Sequence, residues 1–260
     1  MTAAVAHDIG SGVCFGLVEL DLLATHAGAR FPFPLRVPEF GRIEGERAVL
    51  LAAAGATLRA RGLAGERGPV GPATEVVTAL REFRGTVDLV LAAPDTGPTR
   101  PPSPTTTVVG AVAMVYRSWA LICGQPLTGD PAAPVLVRRV AQNALADELI
   151  GMVPEVAPAH AMPITLTPDS VNHADPAVLE ELGGLLPELT GRGQLGATRR
   201  VAGVVTRSGT ELSWLDSPRG RVRVDRTADG WMSVNPLRRN NIRFTLEDFA
   251  MIARREHNGS

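Results

Sequence analysis

Four runs decide the fold: Thr86-Val-Asp-Leu-Val-Leu-Ala92, Thr106-Thr-Val-Val-Gly-Ala-Val-Ala-Met-Val-Tyr116, Trp119-Ala-Leu-Ile-Cys-Gly124 and Pro134-Val-Leu-Val-Arg-Arg-Val140. Each is a run marked by β-branched side chains. They read as four antiparallel strands. Between the first two lies Pro94-Asp-Thr-Gly-Pro-Thr-Arg-Pro-Pro-Ser-Pro104, whose prolines predict a mobile surface loop. Gln142 to Met152 follows as a helix, and Val153 to Asn172 reads as a connection punctuated by proline. Asp175 with Pro176 then opens a helix that runs to about Leu186.

The last third repeats this plan. Strands are predicted at Gly196–Val205, Glu211–Leu215, Arg221–Asp225 and Trp231–Asn235, followed by a helix from about Asn241 to Arg255. Four strands and a helix therefore occur twice without any repeat of residue identity. The expectation is an α+β chain, a single domain over residues 1–260, with related halves at about 17–153 and 175–255. Residues 1–14 and 256–260 are expected to be flexible.

Upstream, Leu17–Leu20 reads as a short strand, with Asp21 capping a helical run that ends near Gly28. Phe31-Pro-Phe-Pro-Leu-Arg-Val-Pro38 must be extended, since each proline forbids a helical predecessor, so Leu35–Val37 forms an edge strand or a packed linker. Glu44 to Arg61, with apolar positions at Ala48, Leu51, Ala52 and Leu58, predicts an amphipathic helix closed by Gly62. Ala73 to Phe83 predicts another.

Composition narrows the function. The 260 residues are 45% hydrophobic and 20% charged, enough to bury a core. The apolar run Val108–Cys123 is broken by Arg117 and Ser118 and falls short of a spanning helix, which predicts no membrane insertion. Met1 to Val13 carries Asp8 and no cation, the wrong layout for a secretory signal, so a cytoplasmic location is expected. Cys14 and Cys123 are too few and too far apart for a disulfide framework. All 26 cations are arginine, which reads as genome composition. Residues 1–190 hold 13 arginines against 20 acids, whereas residues 191–260 hold 13 against 7, so the carboxyl-terminal part is basic. That asymmetry reads as a solvated strand face or as a surface for an acidic partner.

Catalytic chemistry finds little support. The five histidines are scattered without an HxxxH pair, and no metal or cofactor is expected. Gly191-Arg-Gly-Gln-Leu-Gly196 matches GxGxxG but follows a helix and leads into a strand, the reverse of the dinucleotide fingerprint, and reads as a turn. There is no GxSxG elbow and no Walker loop. The adjacent acids Asp147-Glu148 and Glu180-Glu181 diverge on their helices. A net charge of −1 and a single tyrosine argue against nucleic acid, and no nucleic-acid partner is expected. What remains is binding through a few apolar anchors with a charged rim. The candidate contacts are Trp214, Arg221, Arg223 and Met232 on the late sheet, with Phe244 and Phe249 on the final helix.

Three stretches carry a resemblance. The first runs from Val18-Glu-Leu20 through Pro34-Leu-Arg-Val-Pro38 to Glu46-Arg-Ala48 and Leu58-Arg-Ala-Arg-Gly-Leu63. The second is Gly193-Gln-Leu-Gly-Ala197 with Arg199-Arg200. The third is Trp214-Leu-Asp-Ser-Pro-Arg-Gly-Arg221 with Gly230-Trp-Met-Ser-Val-Asn-Pro236. In this order and spacing the chain resembles the EspG family of secretion-associated proteins. The resemblance implies a central antiparallel sheet flanked by two helical bundles with quasi-two-fold symmetry. It further implies a cytosolic type VII secretion chaperone, a binder and not an enzyme, that covers the helical tip of the PPE protein in a PE–PPE heterodimer and is a monomer or weak dimer when free. A structural adaptor that never releases its partners is the alternative. The final helix, less leucine-regular than in the family, and the proline-rich loop Pro94–Pro104 depart from the pattern.

Overall fold

The computed structural model describes residues 12–94, 106–169 and 176–255. The meander predicted from the opening runs forms as β4 (Gly85–Pro94), β5 (Thr106–Tyr116), β6 (Trp119–Pro126) and β7 (Val135–Ala141). Its outer edge is closed by β1 (Val13–Phe15), which pairs with β7. The second half supplies β9 (Gly191–Val201), β11 (Leu212–Ser217), β12 (Gly220–Arg226) and β13 (Met232–Pro236), closed by β8 (Ile164–Leu166). A short strand β10 (Val204–Arg207) folds back on β9, and a separate small hairpin pairs β2 (Ala64–Gly65) with β3 (Gly68–Pro69).

Apart from that small hairpin, all these strands form one antiparallel sheet, ordered β1-β7-β6-β5-β4-β9-β11-β12-β13-β8. Its centre is the β4–β9 pair, with Leu89 opposite Leu195. From there outward each half is a four-strand meander closed by a strand that precedes it in sequence.

Side-chain alternation divides the core by face. On one face Val87, Leu89, Ala113, Ile122, Leu195 and Trp214 meet α4 (Leu145–Met152) and the final helix α6 (Arg239–Arg254) through Leu149, Ile242, Leu246 and Phe249. On the other face Val112, Met114, Leu121 and Val137 meet α1 (Leu17–Ala27) and α3 (Pro72–Glu82), with Leu58 of α2 (Glu44–Ala60) in the same cluster. That face of the second half is covered around Val222, Val234, Ile164 and Leu185, the last from α5 (Pro176–Leu185). The α+β sheet with helical bundles on both faces is as the resemblance implied.

Several local expectations are corrected. Leu17–Leu20 is helix, because Gly16 is extended and its N–H is taken by the Glu19 carboxylate at 2.8 Å, which starts α1 one turn earlier. The strand lies just before it, and so Val13 and Cys14, expected to be flexible, are paired in β1. Asp21 is no cap: it is buried and accepts from the Phe40 N–H and from both Arg47 nitrogens, at 2.8–3.0 Å, holding the start of α2 against α1. Leu35–Val37 is a packed linker without strand pairing, since the buried Gln125 side-chain amide, not a neighbouring backbone, exchanges hydrogen bonds with Arg36. In α2, Ala54 and Leu58 are buried but Ala48 and Ala52 face out. Val153–Asn172 hides the strand β8. Residues 1–11, 95–105, 170–175 and 256–260, with most of the predicted proline loop, Asn172 and the predicted helix opener Asp175, lie outside the described residues.

The largest correction concerns Gly191–Gly196, read as a turn and found as the first half of β9. Glycines weaken a strand unless something needs their missing side chains. A Cβ at Gly193 would lie 2.5 Å from Trp214 Cη2 and closer still to two other ring atoms. One at Gly191 would sit 3.1 Å from Asp216, and one at Gly196 would stand 2.8 Å from the Arg207 guanidinium carbon. These positions are clearings for side chains of the neighbouring strands.

Candidate partner-binding cleft

Trp214 is 1% exposed and stands opposite Gly193 in the β9–β11 register, so its indole lies flat over β9. On the same face Asp216 is paired with Arg221 across β11 and β12, with Nε to Oδ1 at 2.6 Å and Nη2 to Oδ2 at 2.8 Å. Both side chains are buried, which makes this ion pair an internal strut whose charges are matched in bidentate geometry. The guanidinium also stands 5.4 Å from the Trp214 ring centroid and donates to the Pro154 carbonyl at 3.1 Å. Its Nη1 has no hydrogen-bond partner among the described residues.

The Pro154 contact brings the segment after α4 over the sheet. Arg239, at the start of α6, holds the same segment by donating to Ile150 O and Val153 O, each at 2.8 Å. Beneath this strap is a cleft of about 220 Å³ lined by Leu91, Val109, Met152, Val156 and Trp214, with Arg192, Thr190 and Asp216 among its polar members. Apolar walls and few polar groups suit an inserted apolar side chain better than a reacting substrate. Among the described residues no cluster of three or more His, Cys, Asp or Glu gathers as for a metal.

The opposite face of the central strands is polar. Asp88 on β4 is buried and receives Arg207 at 2.9 and 3.1 Å, while Arg207 also bonds Glu211 and lies 5.7 Å from the Phe33 ring centroid. Burial pushes the Asp88 carboxyl up, against the lowering effect of Arg207. The more exposed Glu211 is held below its ordinary range by the same guanidinium.

The six nominated residues separate accordingly. Trp214 forms the floor of the cleft. Arg221 is 0% exposed, so it acts as the strut and offers no surface. Phe249 is 1% exposed in the core beneath α6, a correction to its reading as a contact: its position on the helix faces the sheet. Arg223 is partly exposed and bonds Asp225 at 2.7 Å. Met232 pairs with Arg226, so by alternation it points to the other face, against Val234 and Leu166, and does not join Trp214. Phe244 is 62% exposed. The sequence does not single out Met152, which ends α4, nor Pro154 and Val156 of the strap, because a proline-broken connection carries no periodic signal. The Gly-x-Gly spacing before Trp214 was the available clue.

A sequence profile of the EspG family matches residues 17–248. The chain belongs to the EspG family. Among solved structures, the type VII secretion chaperone EspG5 of Mycobacterium tuberculosis, in complex with a PE25–PPE41 dimer, superposes with a TM-score of 0.63. The two share 12% identity over 93% of this chain and 96% of that one, a likeness of fold. An acyl-ACP thioesterase from Bacteroides thetaiotaomicron, also 12% identical over 80% of this chain and 94% of that one, has a TM-score of only 0.19. No curated protein matches the sequence.

Proposed function

We propose that this EspG-family protein is a cytosolic chaperone of a type VII secretion system. It binds the helical tip of the PPE partner in a PE–PPE heterodimer, keeps the pair soluble until export, and turns over no substrate. The observation that carries this reading is family membership over 17–248 together with a fold shared with EspG5, a protein solved bound to such a dimer. The cleft supplies a physical means: an apolar side chain from the tip enters between Val109, Val156 and the Trp214 floor, and Arg192 at the rim takes a polar group. Phe244, exposed on the helix whose Arg239 fixes the strap, adds an apolar contact.

The test is co-expression with PE–PPE pairs from the same genome. Val156→Glu places an unpaired charge among apolar walls and should lower recovery of the complex at least tenfold with the fold intact. Phe244→Ala should weaken it less. Undiminished recovery with both variants would remove the cleft from the interface.

A further inference from the structure

Part of the arginine surplus of residues 191–260 gathers at one end of the sheet. Arg199 and Arg200 lie on β9 where it runs past the first residue of β4, since Gly85 pairs with Arg199 and the Arg84 carbonyl accepts from the Arg200 N–H. The last turn of α6 rests there, for a Cβ on Gly85 would meet Ala253 Cα at 2.6 Å. Arg254 and Arg255 therefore reach the same end of the sheet. Arg254 donates to the Gln142 carbonyl, and Gln142 in turn donates to the carbonyl of Arg117, bringing in the β5–β6 turn. Arg81, at the end of α3, accepts from Arg200 through its carbonyl at 2.6 Å. The guanidinium of Arg81 is bonded to the His26 and Ala27 carbonyls, and none of those of Arg117, Arg199, Arg200, Arg254 and Arg255 meets a carboxylate among the described residues, whereas Arg207, Arg221, Arg223, Arg239 and Arg243 all do.

The same end carries an open strand edge. The β9–β10 hairpin turns at Ala202-Gly203, both with positive φ, and projects beyond β4. In such a two-residue hairpin the closing pair Val201–Val204 exchanges hydrogen bonds, and the bonded pairs then alternate. The Ser208 N–H to Ala197 O bond of 2.8 Å fits that alternation. The N–H and C=O of Val205 consequently point away from β9, and no described strand pairs with that edge of β10. Val204 and Val205 are 65% and 47% exposed.

We infer that β10 and the arginines at its base form a second docking edge, which takes an extended acidic segment of a partner protein as an added strand. Backbone bonds to Val205, apolar contact with the Val205 side chain on one face of the added strand and carboxylates on Arg199 on the other each answer a feature of this edge. Two copies of the chain would bring their arginine clusters together, which opposes self-pairing. A long polyanion or an anionic membrane would also face the remainder of the chain, which is net acidic. A short acidic segment feels only charges within about 8–10 Å at physiological salt. The cleft lies at the other end of β4, near Leu91 and Ala93, so this inference does not depend on the PPE reading.

The test is fluorescence anisotropy of the full chain with a labelled peptide of alternating glutamate and valine. The expected result is salt-sensitive binding, weakened at least tenfold by Arg199→Glu, and also by Val205→Pro, which removes an outward N–H and keeps the β9 ladder. Circular dichroism should show both variants folded. The inference is overturned by no binding at low salt, by equal binding of a lysine–valine peptide, or by both variants binding as wild type. It is equally overturned if Val205→Pro alone binds normally, or if anionic vesicles or single-stranded DNA bind more tightly than the peptide.

Discussion

Gly193→Ala adds one methyl group to the chain, and its cost follows from the packing of Trp214. The new Cβ would lie 2.5 Å from Cη2 of the ring and closer still to Cε2 and Cζ2, where ordinary contact begins at 3.4 Å, so the indole must retreat by well over 1 Å. It has little room to do so, being 1% exposed with the Arg221 guanidinium 5.4 Å from its centroid. Overpacking of this kind costs roughly 1–3 kcal/mol, against about 0.5–1 kcal/mol that alanine normally gains over glycine within a strand. A net loss of about 1–2 kcal/mol should lower the melting temperature by roughly 2–8 °C in a chain of this size. Thermal unfolding of Gly193→Ala, Trp214→Phe and the double variant checks the mechanism. The smaller ring should relieve the clash, so that the double variant is more stable than the two single losses added together, by ~1 kcal/mol. A Gly193→Ala protein as stable as wild type, or strictly additive losses, would refute the account of these glycines as clearings for side chains.

Three further outcomes are expected. Asp216→Ala leaves the fully buried Arg221 without its counter-charge and should cost about 3–5 kcal/mol by urea unfolding, far more than removal of the exposed Glu39 that pairs with Arg30. Asp88 has a folded pKa raised by burial, so the native state holds its proton more tightly than the unfolded chain. Its contribution is therefore largest below the unfolded aspartate pKa and is lost as pH rises through the folded value. Relative to Asp88→Asn, the wild type should gain stability as pH is lowered across that window, and an unchanged difference between the two unfolding curves at neutral and acid pH would contradict the assignment. Burial pushes the Cys123 thiol up to about 12, while Cys14 is exposed. A thiol reagent at pH 8 should modify one cysteine in the native protein and two after denaturation.

The sheet was legible because its meander strands are dense in valine and joined by short turns, and the repeated plan survived without repeated identity because each half needs the same order of strands. The amino-terminal region was misread where a single local contact decides the outcome: Glu19 reaching back to Gly16 turns an apolar run into a helix, which periodicity over four residues does not reveal. β8 went unseen because three residues between prolines gain their strand character only by pairing with β13. The glycines of β9 read as a turn because their reason is Trp214, some twenty positions later in sequence. Exposure is the property that residue type alone carries least. Arg221 and Phe249 look like surface contacts by residue type, yet the pairing partner of one and the helical face of the other place both inside.

The central claim, that this EspG-family chain is a chaperone of PE–PPE pairs, is tested most directly by co-expressing it with the PE and PPE genes of its own organism and passing the soluble fraction over a size-exclusion column. The account predicts a stoichiometric three-protein complex that keeps an otherwise insoluble pair in solution. Elution of this chain apart from every cognate pair, with the pairs remaining insoluble, would contradict it.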